Sequence, residues 1–193
     1  MYTSEQCEAM TKWVQSWHEC IANYYSDDKN EDCHNLELYT NWKNAIEISP
    51  IYRGIVYRGV CANEYRPNEL EYVKTLFNLS IGETFSIKKP CSASISKNIG
   101  KIWSKPKEVN KDFNHISVLL ELAISNGRDI RNGPKHKSGD EKEIVLMPTV
   151  IFRVTKVNNI EEIPSEGNGL TQRKVLSAEE IEFIPFVKLK CRE

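Results

Sequence analysis

Long hydrophobic runs are missing from this 193-residue chain: its apolar stretches, such as Val118-Leu119-Leu120 and Ile144-Val145-Leu146-Met147, are strand-sized. No membrane partner is expected. Glycine (9) and proline (8) are sparse, which excludes a collagen-like repeat and argues against a disordered chain. Charge of one sign is missing too, since 26 Lys plus Arg meet 27 Asp plus Glu for a net −1. The cysteines at 7, 20, 33, 61, 91 and 191 form no Cys-x-x-Cys pair, and only His34 adjoins one, so neither a zinc knuckle nor a thioredoxin-like motif is written. Met1-Tyr2-Thr3-Ser4-Glu5-Gln6 lacks the basic and apolar regions of a signal peptide, so reduced thiols in a cytoplasmic setting are expected. His18, His34, His115 and His136 show no metal-ligand spacing, and no metal is expected. A Gly-x-Ser-x-Gly elbow, a phosphate loop and the doubly wound dinucleotide fingerprint are all absent.

What is present, 40% hydrophobic and 27% charged residues, is the composition of one ordinary folded domain. Residues 1–50 read as helical. Thr3 and Gln6 have capping-box spacing, and Met10, Trp13, Val14, Trp17, Ile21 and Tyr24 follow at intervals of three and four. The acidic stretch Ser26 to Asp32 ends that helix. A second is expected from about Asn35 to Ile48, with Leu36, Tyr39, Trp42 and Ile46 on one face and Ser49-Pro50 closing it. A core role is expected for the two tryptophans of the first helix, Trp13 and Trp17.

After Ile51 the pattern turns to short β-rich pieces: strands at Ile55–Arg58, Ile116–Ile124, Glu143–Met147, Val150–Val154 and Glu180–Cys191, with an extended stretch from Phe85 to Ser96. A short helical pattern covers Asn68–Phe77, a lysine-rich stretch 97–111, and polar loops 125–140 and 158–169. This mixture predicts an α+β fold with antiparallel or mixed sheets. The expected organisation is a helical segment 1–50, packed on the same domain, followed by a β-rich domain 51–193. Charge divides the same way: residues 1–50 hold nine acids and three bases (−6), and 51–193 hold eighteen acids and twenty-three bases (+5). A cleft in the basic part would attract a phosphate-bearing ligand.

Three small features occur in order: Tyr57-Arg58-Gly59 after an apolar pair, Ser92-Ala93-Ser94, and Glu141-Lys142-Glu143 leading into Ile144-Val145-Leu146-Met147. Singly each is weak. Glu-x-Glu occurs three times and Tyr-Arg-Gly twice; Arg58 is preferred over Arg53 because it follows Ile55-Val56, whereas Arg53 follows the Ser49-Pro50 break. In this order, and with Gly82, Phe85, Asn98-Ile99, Ser125 to Ile130 and Phe152-Arg153-Val154 around them, residues 50–157 resemble the Arg-Ser-Glu subclass of mono-ADP-ribosyltransferases. That subclass includes enzymatic components of binary toxins and phage-encoded modifiers of host proteins.

The resemblance implies two packed, mostly antiparallel sheets forming a cleft for NAD, which is a substrate. Such enzymes break the bond between nicotinamide and ribose through an oxocarbenium-like state. Arg58 would grip the NAD phosphates. Gly59 would leave room for the nicotinamide amide, and Ser92 would position the catalytic glutamate and the ribose, with Ser94 in support. Glu143 would stabilise the cation, and Glu141, two residues earlier on an extended segment, would orient and deprotonate the acceptor. A glutamate at that position resembles the arrangement for arginine acceptors, so the implied partner is a target protein modified on arginine. An aromatic, Trp103 or Phe113, would pack on nicotinamide, and the lysines at 97, 101, 105, 107 and 111 would extend the positive rim.

The sequence departs from the family pattern in two places. Ala93 stands where threonine is frequent, and the acceptor loop by position, Asn132 to Gly139, is basic and lacks an aromatic. An acidic protein surface or a nucleic acid is therefore a second acceptor class. An NAD glycohydrolase and a non-catalytic NAD-binding module are the competing readings. Action in the producing cell's cytoplasm and delivery into a host both stay open.

Overall fold

Residues 2–14, 36–63, 67–87, 89–106, 114–133, 141–148, 150–164 and 169–183 are described by a computed structural model. Trp17, Ile21, Tyr24, the 26–32 break, Lys107, Lys111, Phe113, most of the 132–139 loop and residues 184–191 lie outside them.

Helix α1 (Ser4–Lys12) begins as the spacing predicts: Thr3 Oγ1 accepts the Gln6 N–H at 3.2 Å, and Gln6 Oε1 accepts the Thr3 N–H at 2.8 Å. Helix α2 (Leu36–Ile48) ends where Ser49 N–H turns back to Ile46 O at 3.1 Å, and Ser49 Oγ donates to Ala45 O at 2.8 Å. The apolar faces of these helices meet, with Trp13 stacked on Trp42 at 4.6 Å between ring centroids. Together with Met10, Ala45 and Ile46 they bury Ile130, Val145 and Met147. A second core gathers Val56, Leu120, Leu122, Ile144, Phe152 and Leu176 under α3 (Pro67–Asn78), which contributes Val73 and Leu76.

Eight strands are described: β1 (Ile51–Ala62), β2 (Thr84–Ser86), β3 (Cys91–Ser94), β4 (His115–Asp129), β5 (Glu143–Leu146), β6 (Val150–Val157), β7 (Glu161–Pro164) and β8 (Leu170–Phe183). Their order is β1-β3-β5-β4-β8-β6-β2, with β7 beside β8 and a further pairing of β1 with β4. All pairs are antiparallel except β4–β8, so the α+β class with mostly antiparallel strands is what the chain has. Because β4 pairs β1, β5 and β8, hydrogen bonding is continuous through the strands.

Several elements differ from expectation. The 125–140 loop begins late, because Ser125 to Asp129 continue β4: Tyr52 and Ile51 pair with Gly127 and Arg128, and Glu180 accepts from Ser125 N–H and Oγ at 2.6 and 2.7 Å. The lysine-rich stretch contains helix α4 (Lys97–Trp103). β7 lies inside the predicted 158–169 loop, and β8 starts ten residues before Glu180. Among the described residues no helix is long and apolar enough to cross a membrane.

Candidate active site

Strands β1 and β3 are in register at one pair, Tyr57 with Ser94, while β1 follows β4 along nearly its whole length. Beyond that pair β1 and β3 separate, and Arg58 spans the gap: its guanidinium donates to the Ser92 carbonyl at 2.6 Å. That acceptor is neutral, so the bond leaves Arg58's charge uncompensated. Arg53, by contrast, is exposed at a register shift between Tyr52 and Gly54, and Gly54's φ of 149° suits the irregular turn of chain there.

Ser94 is opposite Glu143 in the β3–β5 pairing and Ser92 is opposite Val145, which sets both serines and the glutamate on one face. Ser92 Oγ donates to Glu143 Oε1 in a short hydrogen bond. The same oxygen accepts from Trp13 Nε1 at 2.9 Å. Glu143 is only 4% exposed, and a carboxylate so buried is tolerable because such donors replace water. Ser94 is a junction: its Oγ donates to Glu141 O at 2.6 Å and accepts the Ser96 N–H at 3.0 Å at the start of α4. With Ile95 N–H on Lys142 O at 3.2 Å, the turn carrying Glu141 is tied to β3.

Glu141 is half-buried just ahead of β5. Lys142 between the two glutamates has φ 50°, a left-handed conformation, so the chain from Glu141 to Glu143 is not extended. The two-residue spacing therefore does not by itself put both carboxylates on one face, which corrects the basis of that expectation. Gly59 also meets a neighbour the sequence did not announce. A Cβ there would lie 2.2 Å from Gly100 O, 2.3 Å from Ser104 N and 2.7 Å from Trp103 C, so the bare glycine admits the backbone of α4. Trp103 thus belongs to the helix laid on Gly59. Lys97 sits over the Tyr57 ring and pairs with Glu121 at 3.1 Å, while Lys101 and Lys105 are exposed.

The surroundings keep the Tyr72 phenol and the Cys91 thiol neutral. Tyr72 is 36% exposed as a residue, yet loss of water around its phenol pushes it up to about 12, against the opposing pull of Arg58. Burial likewise raises the Cys91 thiol, opposed by Arg58 and Lys89 and aided by Glu143. Neither supplies an anion to Arg58 near pH 7. His115 is buried with its Nε2 3.1 Å from Asn63 Nδ2, a pairing inside the fold. Among the described residues no cluster of three or more His, Cys, Asp or Glu is suited to a metal ion.

Trp13 is the site residue that sequence reasoning missed. Its spacing with Met10 and Val14 matches a core face, which it also serves, and nothing local distinguishes an indole that faces a carboxylate.

The chain has the fold of the ADP-ribosyltransferases, as superposition on solved structures shows. The ADP-ribosyltransferase Vis from Vibrio splendidus, in complex with an inhibitor, superposes with a TM-score of 0.67 at 18% identity, over 99% of this chain and 78% of its own. The type III effector XopAI of Xanthomonas axonopodis pv. citri gives 0.57 at 16% identity, over 93% and 64%. The enzymatic component C2-I of the Clostridium botulinum C2 toxin gives 0.56 at 19%, over 96% and 44%. Identities this low show shared fold alone. No protein-family model matches the chain. In sequence, the glutamyl-tRNA reductase of Thermoplasma volcanium is 23% identical over 169 residues, which cover 83% of this chain and 38% of that protein. This likeness is too low to assign a family.

Proposed function

We propose that the protein is a mono-ADP-ribosyltransferase that moves ADP-ribose from NAD to an arginine of a target protein and releases nicotinamide. The observation that carries this reading is convergence: Arg58, Ser92 and Glu143, far apart in sequence, are linked by two hydrogen bonds where β1 parts from β3. The donor set fits NAD. A guanidinium bonded to a neutral carbonyl retains charge for the diphosphate. Glu143, fixed by two donors on one oxygen, is set to stabilise a ribosyl cation.

The bond between the anomeric carbon and the nicotinamide nitrogen breaks, with its electron pair leaving on neutral nicotinamide. A guanidine nitrogen of the acceptor then bonds to that carbon, and Glu141 takes the displaced proton. No step is assigned to a metal. The complex of Vis with agmatine, an amine bearing the guanidinium of arginine, supports the acceptor assignment. Likeness to a toxin component and a type III effector supports action inside a cell other than the producer.

Wild type, Glu141→Gln and Glu143→Gln are incubated with NAD, with and without an arginine-rich protein, and nicotinamide release and acceptor labelling are measured. Glu143→Gln should lose both signals by at least about a hundredfold. Glu141→Gln should lose labelling and retain some release. Full activity in Glu143→Gln would sink the site assignment. Release that ignores every acceptor would make the protein a glycohydrolase, and no release from wild type a binding module.

A further inference from the structure

Glu143 Oε1 accepts from two donors of different origin. Ser92 lies on the adjacent strand, whereas Trp13 lies 130 residues away at the end of α1. The indole is 1% exposed and held by packing: Trp42 stacks on it with 25° between ring planes, and Trp42 is itself fully buried with Ala45 and Ile46. Its origin is fixed as well, because the Thr3–Gln6 capping box sets where α1 begins. A buried donor held by stacking loses little entropy when it meets its acceptor, unlike a long flexible side chain.

We propose that Trp13 is a positioning residue for the Glu143 carboxylate, so that the N-terminal helical segment is a working part of the active site rather than a prefix. The proposal rests on the reading of Glu143 as the catalytic carboxylate. With Ser92 and Trp13 both on Oε1, the carboxylate plane is set from two directions, and the orientation of its second oxygen follows. Removing the indole N–H takes away one of these two donors to Oε1, in a place water does not replace. Trp13 acts through Glu143 and makes no bond to NAD in this scheme. Its effect therefore belongs in kcat and not in the KM for NAD.

The test compares wild type, Trp13→Phe, Ser92→Ala, the double variant, Glu143→Gln and Glu143→Asp with and without Trp13→Phe. Nicotinamide release is followed across NAD concentrations. Phenylalanine keeps the ring on Trp42 and loses the N–H. Trp13→Phe should lower kcat about ten- to a hundredfold, with the KM for NAD within about twofold of wild type. The double variant should lose less than the sum of the two single losses, since both donors serve one oxygen. In the Glu143→Asp background, where the shorter carboxylate falls away from the indole, Trp13→Phe should cost little more. Should phenylalanine disturb the core, benzothienylalanine at position 13, introduced by nonsense suppression, preserves the indole outline with sulfur in place of N–H and is expected to reproduce the kcat loss. An unchanged kcat in a folded N–H-less variant, or a rise in KM alone, overturns the proposal while a dead Glu143→Gln leaves the site reading standing. An active Glu143→Gln overturns the site reading itself.

Discussion

Gly59 illustrates how one residue answers to a neighbour that sequence does not name. In the Tyr57-Arg58-Gly59 motif its expected duty lies toward the ligand, yet the space above its Cα is taken by the α4 backbone. Gly100 returns the contact, since a Cβ there would stand 2.7 Å from Tyr57 Cβ. Helix and strand thus meet across two glycines. Gly59→Ala should destabilise the protein by about 3 kcal/mol, because backbone atoms cannot step aside as a side-chain end would. Urea denaturation measures this, and a loss below about 0.5 kcal/mol would show that α4 shifts freely.

At the scale of elements, α3 shows how a helix beside Arg58 is fastened. Lys174 on β8 donates to Phe77 O at 2.6 Å and Leu79 O at 2.8 Å, closing the carboxyl end of the helix, with its ammonium 5.8 Å from the Phe77 ring centroid. Loss of water around it lowers the Lys174 pKa, opposed by Glu83. Lys174→Met keeps the stem and removes the donors, and should cost about 1–2 kcal/mol in thermal or chemical unfolding. Elements with simple patterns were readable in advance. The β5 run and the alternating Val150, Phe152 and Val154 are buried as predicted, and α1 starts at its cap. The opening stretch of β8, residues 170–174, was not readable, because its buried residues are polar: Thr171 is fully buried, and Arg173, 9% exposed, pairs with Glu161 at 2.8 Å. Hydrophobic alternation cannot report a strand whose inward residues are a hydroxyl and a guanidinium. The same limit hid β7, which is built from Glu161, Glu162, Ile163 and Pro164. In the site, the order of Arg58, Ser92 and Glu143 was legible because each lies on a short recognisable motif. Trp13 was not, because its contact with Glu143 exists only once helix and sheet are packed.

For the whole molecule, the thiols report on cooperativity. Burial, with Glu69 nearby, pushes Cys61 up to about 12, and burial raises Cys91 also, whereas Cys7 is exposed. At pH 8 a thiol of that pKa is thiolate in only about one molecule in ten thousand. Iodoacetamide followed by peptide mass mapping should therefore modify Cys7 promptly and spare Cys61 and Cys91 until the sheet opens as a unit. Prompt labelling of Cys61 below the unfolding transition would mean that the β1 end of the sheet opens alone. Assembly of that sheet has its own order. β8, residues 170–183, is inserted between β4 and β6, so β6 and β2 have no place beside β4 until a strand made after both of them arrives. A ribosome-bound chain that has already exposed Arg58, Ser92 and Glu143 still lacks the strand that joins the two sides of its sheet. Pairings of such long sequence separation are slow to form. The timing of sheet completion is thus written into strand order: the last of these strands to be synthesised closes the middle.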